Sequence, residues 1–204
     1  MSERAPVDFY FDFISPFGYF AALRVDDLCV RYGRTTAWHS MLLGVSVLKV
    51  MGMKPLLDTP LKGDYIRREY ARYVRRHGLE LKRRPGDPMM DPRPCGRAFH
   101  WARRHLPGRE KDLARALLHA YWTEGRDLGT AAAVAEVAGT AGFDAAVLRA
   151  AIDGEESGTL LRAAVAASID RGVFGSPTVV VDGEPFWGVE TFGVLEQWLS
   201  SGGW

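Results

Sequence analysis

Two cysteines in 204 residues, Cys29 and Cys95, are too few for a disulfide framework and lie far from any Cys-x-x-Cys or metal-ligand spacing. Both are expected to be free structural thiols, with no metal site. The chain also lacks an excess of either charge: 26 Lys and Arg stand against 25 Asp and Glu, a formal net charge of +1. No global pull toward nucleic acid or a membrane surface follows, so small-molecule or protein partners are favoured. No stretch approaches 18 uninterrupted apolar residues, and Met1-Ser2-Glu3-Arg4-Ala5-Pro6 has neither an apolar core nor a cleavage site of a leader. A soluble, cytoplasmic chain is expected. Internal repeats, low-complexity tracts and the G-x-S-x-G elbow of serine hydrolases are missing as well.

What is present suits one core with a large insertion: 47% of the residues are hydrophobic, and the length exceeds that of a minimal domain. Val7 to Phe13 is an aromatic and β-branched run that reads as a buried strand. Ser15 has the chemistry of an N-cap and Pro16 that of a first helical residue. The spacing predicts one helix from Pro16 to Tyr32, ended by Gly33, and a second strand over Thr35 to Ser40, giving a parallel βαβ unit. Between Lys49 and Arg171 helical periodicity takes over. Helices are expected at about 62–77, 94–105, 109–124, 130–141, 144–153 and 157–171, punctuated by Gly78, Pro107-Gly108, Gly125, Gly142 and Gly172. Strand character returns at Thr178 to Val181, followed by the turn signal Asp182-Gly183, a partner strand Glu184 to Trp187 and a last helix over Phe192 to Leu199. The expected fold class is α/β, a thioredoxin-like sheet with an all-helical insertion. Residues 1–48 and 172–204 form the discontinuous sheet domain of this reading, and residues 49–171 the insertion.

Two segments carry the chemistry: Phe11-Asp12-Phe13-Ile14-Ser15-Pro16-Phe17-Gly18 and Gly172-Val173-Phe174-Gly175-Ser176-Pro177-Thr178. Together they outline a thioredoxin-like site whose cysteine slots hold Ser15 and Gly18. Dithiol exchange is thereby excluded. A thiol bound at Ser15 would have its thiolate stabilised by the helix start and by the serine hydroxyl, unless Ser15 only caps the helix. A cis Ser176-Pro177 bond would turn the Ser176 backbone outward, ready to pair with an extended peptide-like ligand such as glutathione. Ser15 lacks an adjacent base, which disfavours it as a nucleophile. Among the five histidines only His39, on the second strand, has a route to the active edge, and a satisfied strand histidine is its plainer reading. The basic stretch from Lys62 to Arg84 either steers an anion or is a solvated helix face. Tyr121-Trp122 either line a pocket or fill the core.

These residues resemble the 2-hydroxychromene-2-carboxylate isomerases and the kappa-class glutathione transferases, a family with a DsbA-like thioredoxin fold. The carriers are Phe11 to Pro16, Leu42-Leu43-Gly44, Gly52 with Lys54-Pro55, Pro60 to Tyr65, Gly172 to Pro177, Glu184 to Gly188 and the terminal Ser201-Gly202-Gly203-Trp204. The resemblance implies glutathione, or another low-molecular-weight thiol, as cofactor. It implies Ser15 as the catalytic residue that hydrogen-bonds the sulfur, with Pro16 and Phe17 beside it. Ser176 and a cis Pro177 hold the cofactor backbone, Val189 and Glu190 its γ-glutamyl end, and Met53 and Lys62 complete the set. Met53 stands where many relatives have Asn, Glu190-Thr191 where an Asp-Arg pair is common, and His39-Ser40 where a basic-Pro pair is common. The resemblance further implies a homodimer and a glutathione-dependent isomerase. A kappa-like transferase and a non-catalytic peptide-binding module are the alternatives.

Overall fold

A computed structural model describes residues 5–204; the leader reading at Met1 to Arg4 falls outside the described residues. Strands β1 (Val7–Phe11), β2 (Thr36–Ser40), β3 (Thr178–Val181) and β4 (Glu184–Trp187) form one mixed sheet in the order β2-β1-β3-β4. β1 is parallel to β2, with Phe9 opposite Trp38 and Phe11 opposite Ser40, and antiparallel to β3, with Phe9 opposite Val179. β3 and β4 form the expected hairpin. Its two turn residues, Asp182 (φ 53°) and Gly183 (φ 91°), both take the positive φ that a type I′ turn demands.

Alternation along β1 sends Val7, Phe9 and Phe11 into the main core, where Phe11 meets the rings of Phe13, Trp38 and Phe99. Tyr10 goes to the other face and forms a small cluster with Met41 and Val173. β1 ends at Phe11, two residues before the expected end, because the Asp12 amide leaves the ladder to donate to Ser176 Oγ at 2.9 Å.

The single helix expected over residues 16–32 is two: α1 (Pro16–Ala22) and α2 (Val25–Arg31). Arg24 breaks them with φ −132°, its amide falling back to the Ala21 carbonyl. Its guanidinium reaches the Tyr73 hydroxyl and lies over the Phe192 ring. The bend lets Tyr19 to Ala22 and then Val25, Leu28 and Cys29 all face the core.

Between β2 and β3 come a wide π-type turn at Gly44–Val50, a 3₁₀ turn at Leu56–Asp58 and helices α3 (Lys62–His77), α4 (Arg93–His105), α5 (Glu110–Trp122), α6 (Ala131–Thr140), α7 (Ala145–Asp153) and α8 (Glu155–Asp170). Helix α9 (Phe192–Ser201) follows β4. One apolar cluster runs without interruption from the sheet into α3 to α7. No helix among the described residues is long and apolar enough to cross a membrane.

Candidate active site

The β1–α1 turn and the loop before β3 meet at the carboxyl end of β1. Ser15 is the N-cap of α1: its Oγ accepts from the Gly18 amide at 3.0 Å and donates to the Ser176 carbonyl at 3.1 Å. The residue is 4% exposed. Ser176-Pro177 is cis. The Ser176 carbonyl accepts from Ser15 Oγ, where the sequence reading expects both backbone groups of Ser176 to face outward. The Ser176 amide has no partner among the described residues.

Gly18 lies beside the Ser176 hydroxyl of the second segment. A Cβ on Gly18 would lie 2.6 Å from Ser176 Oγ and 3.1 Å from Ser15 Cβ, so the slot that holds the second cysteine of a redox pair has room for glycine alone. Pro16 has no N–H, the Gly18 and Tyr19 amides go to Ser15 Oγ and O, and the Phe17 amide is left without a partner among the described residues. An anionic atom held at this turn would meet the Phe17 N–H and the Ser15 hydroxyl together.

Asp12 underlies both loops. Its carboxylate is fully buried, Oδ1 accepting from the Ile14 amide at 3.2 Å and Oδ2 from the Leu43 amide at 2.7 Å. Burial pushes this carboxyl up to about 7, against the pull of the amides of Leu43, Ile14 and Phe13. Its own carbonyl accepts from the Ser15 amide at 3.0 Å. Sequence reasoning sees Asp12 as an acidic residue within a strand and gives it no role. The available signal is a carboxylate inside an aromatic run three residues before the serine, since such a group must find donors when buried.

The structure brings Ser15, Pro16, Phe17, Ser176 and Pro177 together. Phe17 is half-buried with its ring edge-on to Phe20. The 3₁₀ turn Val189–Thr191 lies against α1; the Val189 side chain belongs to the core and Glu190 is exposed. Met53 and Lys62 lie on an exposed stretch, and no hydrogen bond joins either to Ser15 or Ser176. The Met53 amide donates to Val47 O and the Lys62 amide to Pro60 O.

The other sequence candidates are occupied elsewhere. His39 Nδ1 faces Arg103 Nη1 at 3.0 Å and Nε2 faces Asp8 Oδ1 at 2.7 Å. It is a satisfied strand histidine. Tyr121 and Trp122 fill the core, and Trp122 Nε1 pins the Phe13 carbonyl at 3.0 Å beside the Ser15 turn. Cys29 and Cys95 are buried; burial pushes the first thiol up to about 11 and the second well above its ordinary value. Neither is poised for exchange.

A family model described as a DSBA-like thioredoxin domain matches residues 6–200. The 2-hydroxychromene-2-carboxylate isomerase of Pseudomonas putida is 27% identical over 195 residues, covering 94% of this chain and 92% of the relative. A protein of the same name from Sphingobium xenophagum is 26% identical over 198 residues, 95% of this chain and 97% of the relative. Among solved structures, a selenomethionine 2-hydroxychromene-2-carboxylate isomerase superposes with a TM-score of 0.81 at 24% identity, over 97% of this chain and 95% of that one. That likeness extends the shared fold to the whole molecule.

Proposed function

The chain belongs to the family of DSBA-like thioredoxin domains, and from that premise we propose that it is a glutathione-dependent cis–trans isomerase of the 2-hydroxychromene-2-carboxylate isomerase type. The observation that carries the reading is Ser15 at the thiol slot, its hydroxyl held between the Gly18 amide and the Ser176 carbonyl, in a fold whose cysteine pair is replaced. The residues fit a thiol tripeptide: the free Ser176 amide beside the cis bond suits an extended backbone, and the Phe17 amide suits an anionic sulfur.

Bound there, the cofactor would supply a thiolate for reversible conjugate addition to the ring-opened keto acid, the chemistry that lets its double bond change geometry. The protein's part is to hold and discharge. Ser15, itself 4% exposed, would turn its proton from the Ser176 carbonyl to the sulfur and so stabilise the ionised thiol. Ser176 and Pro177 fix the cofactor backbone, with Pro16 and Phe17 at the helix start and the backbone of Val189 and Glu190 at the far end. Met53 and Lys62 approach from the exposed segment after β2. In this reading the sheet domain, residues 1–48 and 172–204, captures the thiol, and the helical residues 49–171 shape the substrate pocket. A cytoplasmic homodimer belongs to the same proposal.

The test is turnover of 2-hydroxychromene-2-carboxylate with and without glutathione. Turnover is expected only with thiol, and Ser15→Ala is expected to lower kcat/KM by about 10²-fold and to raise the bound thiol's pKa. Thiol-independent turnover, or an unchanged rate in Ser15→Ala, overturns the mechanism. Accumulation of a stable thioether in place of the trans isomer marks the kappa-like transferase outcome.

A further inference from the structure

We propose that the Asp12 carboxylate is the positioning group that couples the segment leaving β2 to the Ser15 turn, and that the thiol site is complete only when this carboxylate is ionised. The inference rests on the thiol reading above and extends it to a residue that touches no cofactor.

Four bonds meet at this one residue. Its two carboxylate oxygens take the amides of Ile14, within the serine turn, and of Leu43, 31 residues away. Its backbone amide donates to Ser176 Oγ, 164 residues away, and its backbone carbonyl accepts from the Ser15 amide. Leu43 immediately precedes the turn Gly44–Val50, which leads on to Met53 and Lys62. The Leu43 bond is thus the tie between the exposed segment and the floor of the site. A carboxylate can accept on both oxygens at once; a protonated carboxyl turns one oxygen into a donor, and an amide facing that oxygen loses its partner.

No cation among the described residues is a hydrogen-bond partner of Asp12, and its charge is met by amides. Burial holds its ionisation near neutrality for that reason. The titratable groups that feel it from packed helices are Cys95 of α4 and Tyr121 of α5, and burial pushes both upward, so both stay neutral there. His100 of α4, bonded to the Ser40 carbonyl, is pushed down to about 4 by burial and is neutral too. Asp12 alone in this group changes charge between about pH 5.5 and about pH 8.

The experiment reads the carboxylate twice. Amide NMR of the unliganded wild-type protein is expected to show the Leu43 and Ile14 resonances titrating together with a midpoint near neutrality, and Asp12→Asn is expected to abolish the transition. Calorimetry with S-methylglutathione, whose thioether cannot ionise, is expected to show wild-type affinity falling about thirtyfold from about pH 8 to about pH 5.5 as the competent fraction shrinks. Asp12→Asn is expected to bind weakly and without that pH dependence. A Leu43 amide that ignores pH overturns the role of Asp12 even where thiol-dependent turnover holds, and this measurement needs no variant. So does a wild-type affinity with the same pH profile as Asp12→Asn. Failure of the wild-type protein to bind S-methylglutathione at about pH 8 overturns the glutathione reading instead.

Discussion

At the scale of single residues, the site is decided by contacts of a few tenths of an ångström. Gly18 is the clearest case, because a methyl group there runs into the hydroxyl that holds Asp12 and lies beside the cap that Ser15 makes. Gly18→Ala is expected to displace the cis-proline loop, to lower stability by about 1–3 kcal/mol, and to reduce thiol-dependent turnover more than that loss explains. Urea midpoints beside steady-state rates check it; wild-type turnover in the variant removes the claim that the slot requires glycine. Ser15 is legible in the sequence because an N-cap leaves a local signature, a serine directly before a proline and an aromatic helix start. Asp12 is legible only as a buried carboxylate in need of donors: Ile14 and Ser15 are local, but Leu43 and Ser176 lie 31 and 164 residues away and nothing local announces them.

At the scale of elements, most helices fall within two residues of their expected bounds, and the hairpin is where Asp182-Gly183 puts it. Periodic burial and terminal glycines are local signals, so they survive without tertiary knowledge. The failures have a common cause. Arg24 breaks a periodic run because its side chain is called to Tyr73 and Phe192, and the stretch from Gly44 to Leu61 exposes Leu48, Val50, Met51, Met53, Leu56 and Leu61, so its apolar residues follow no helical face. The hairpin turn also serves as an anchor: Asp182 takes two bonds, 3.2 and 3.0 Å, from the Arg34 guanidinium, which is buried and further bonded to Ala5 O. Asp182→Ala strands that cation and puts alanine at φ 53°. A loss of about 2 kcal/mol is expected, moderated by the solvent that reaches Asp182, with Asp182→Asn losing less. Equal denaturation midpoints for the two variants would sink the ion-pair part of the explanation.

At the scale of the whole molecule, two buried groups on the same core pull stability in opposite directions with pH. The folded His100, pushed down to about 4, resists the proton that the unfolded chain binds below its ordinary value of 6.5, so stability falls as pH drops through that interval, by about 3 kcal/mol in full. The folded Asp12 carboxyl, pushed up to about 7 from 3.8, binds a proton before the unfolded chain does, so stability rises as pH drops through that interval, by about 4 kcal/mol. The two nearly offset each other between about pH 6.5 and about pH 4. Asp12→Asn removes the second contribution and is expected to expose the acid loss due to His100, read as urea midpoints that fall with pH far more steeply than in the wild-type protein. Parallel curves would show that one of the two groups does not titrate as its burial dictates. The sequence by itself determined the class of fold, the order of its elements and the replacement of the redox pair by Ser15 and Gly18, because periodicity, capping and residue identity are written locally. Only the tertiary structure decided that the Ser176 carbonyl turns inward to Ser15, that Gly18 must stay small, and that Asp12 joins three distant segments. Those are contacts between parts of the chain that share no neighbourhood until the core has closed around them.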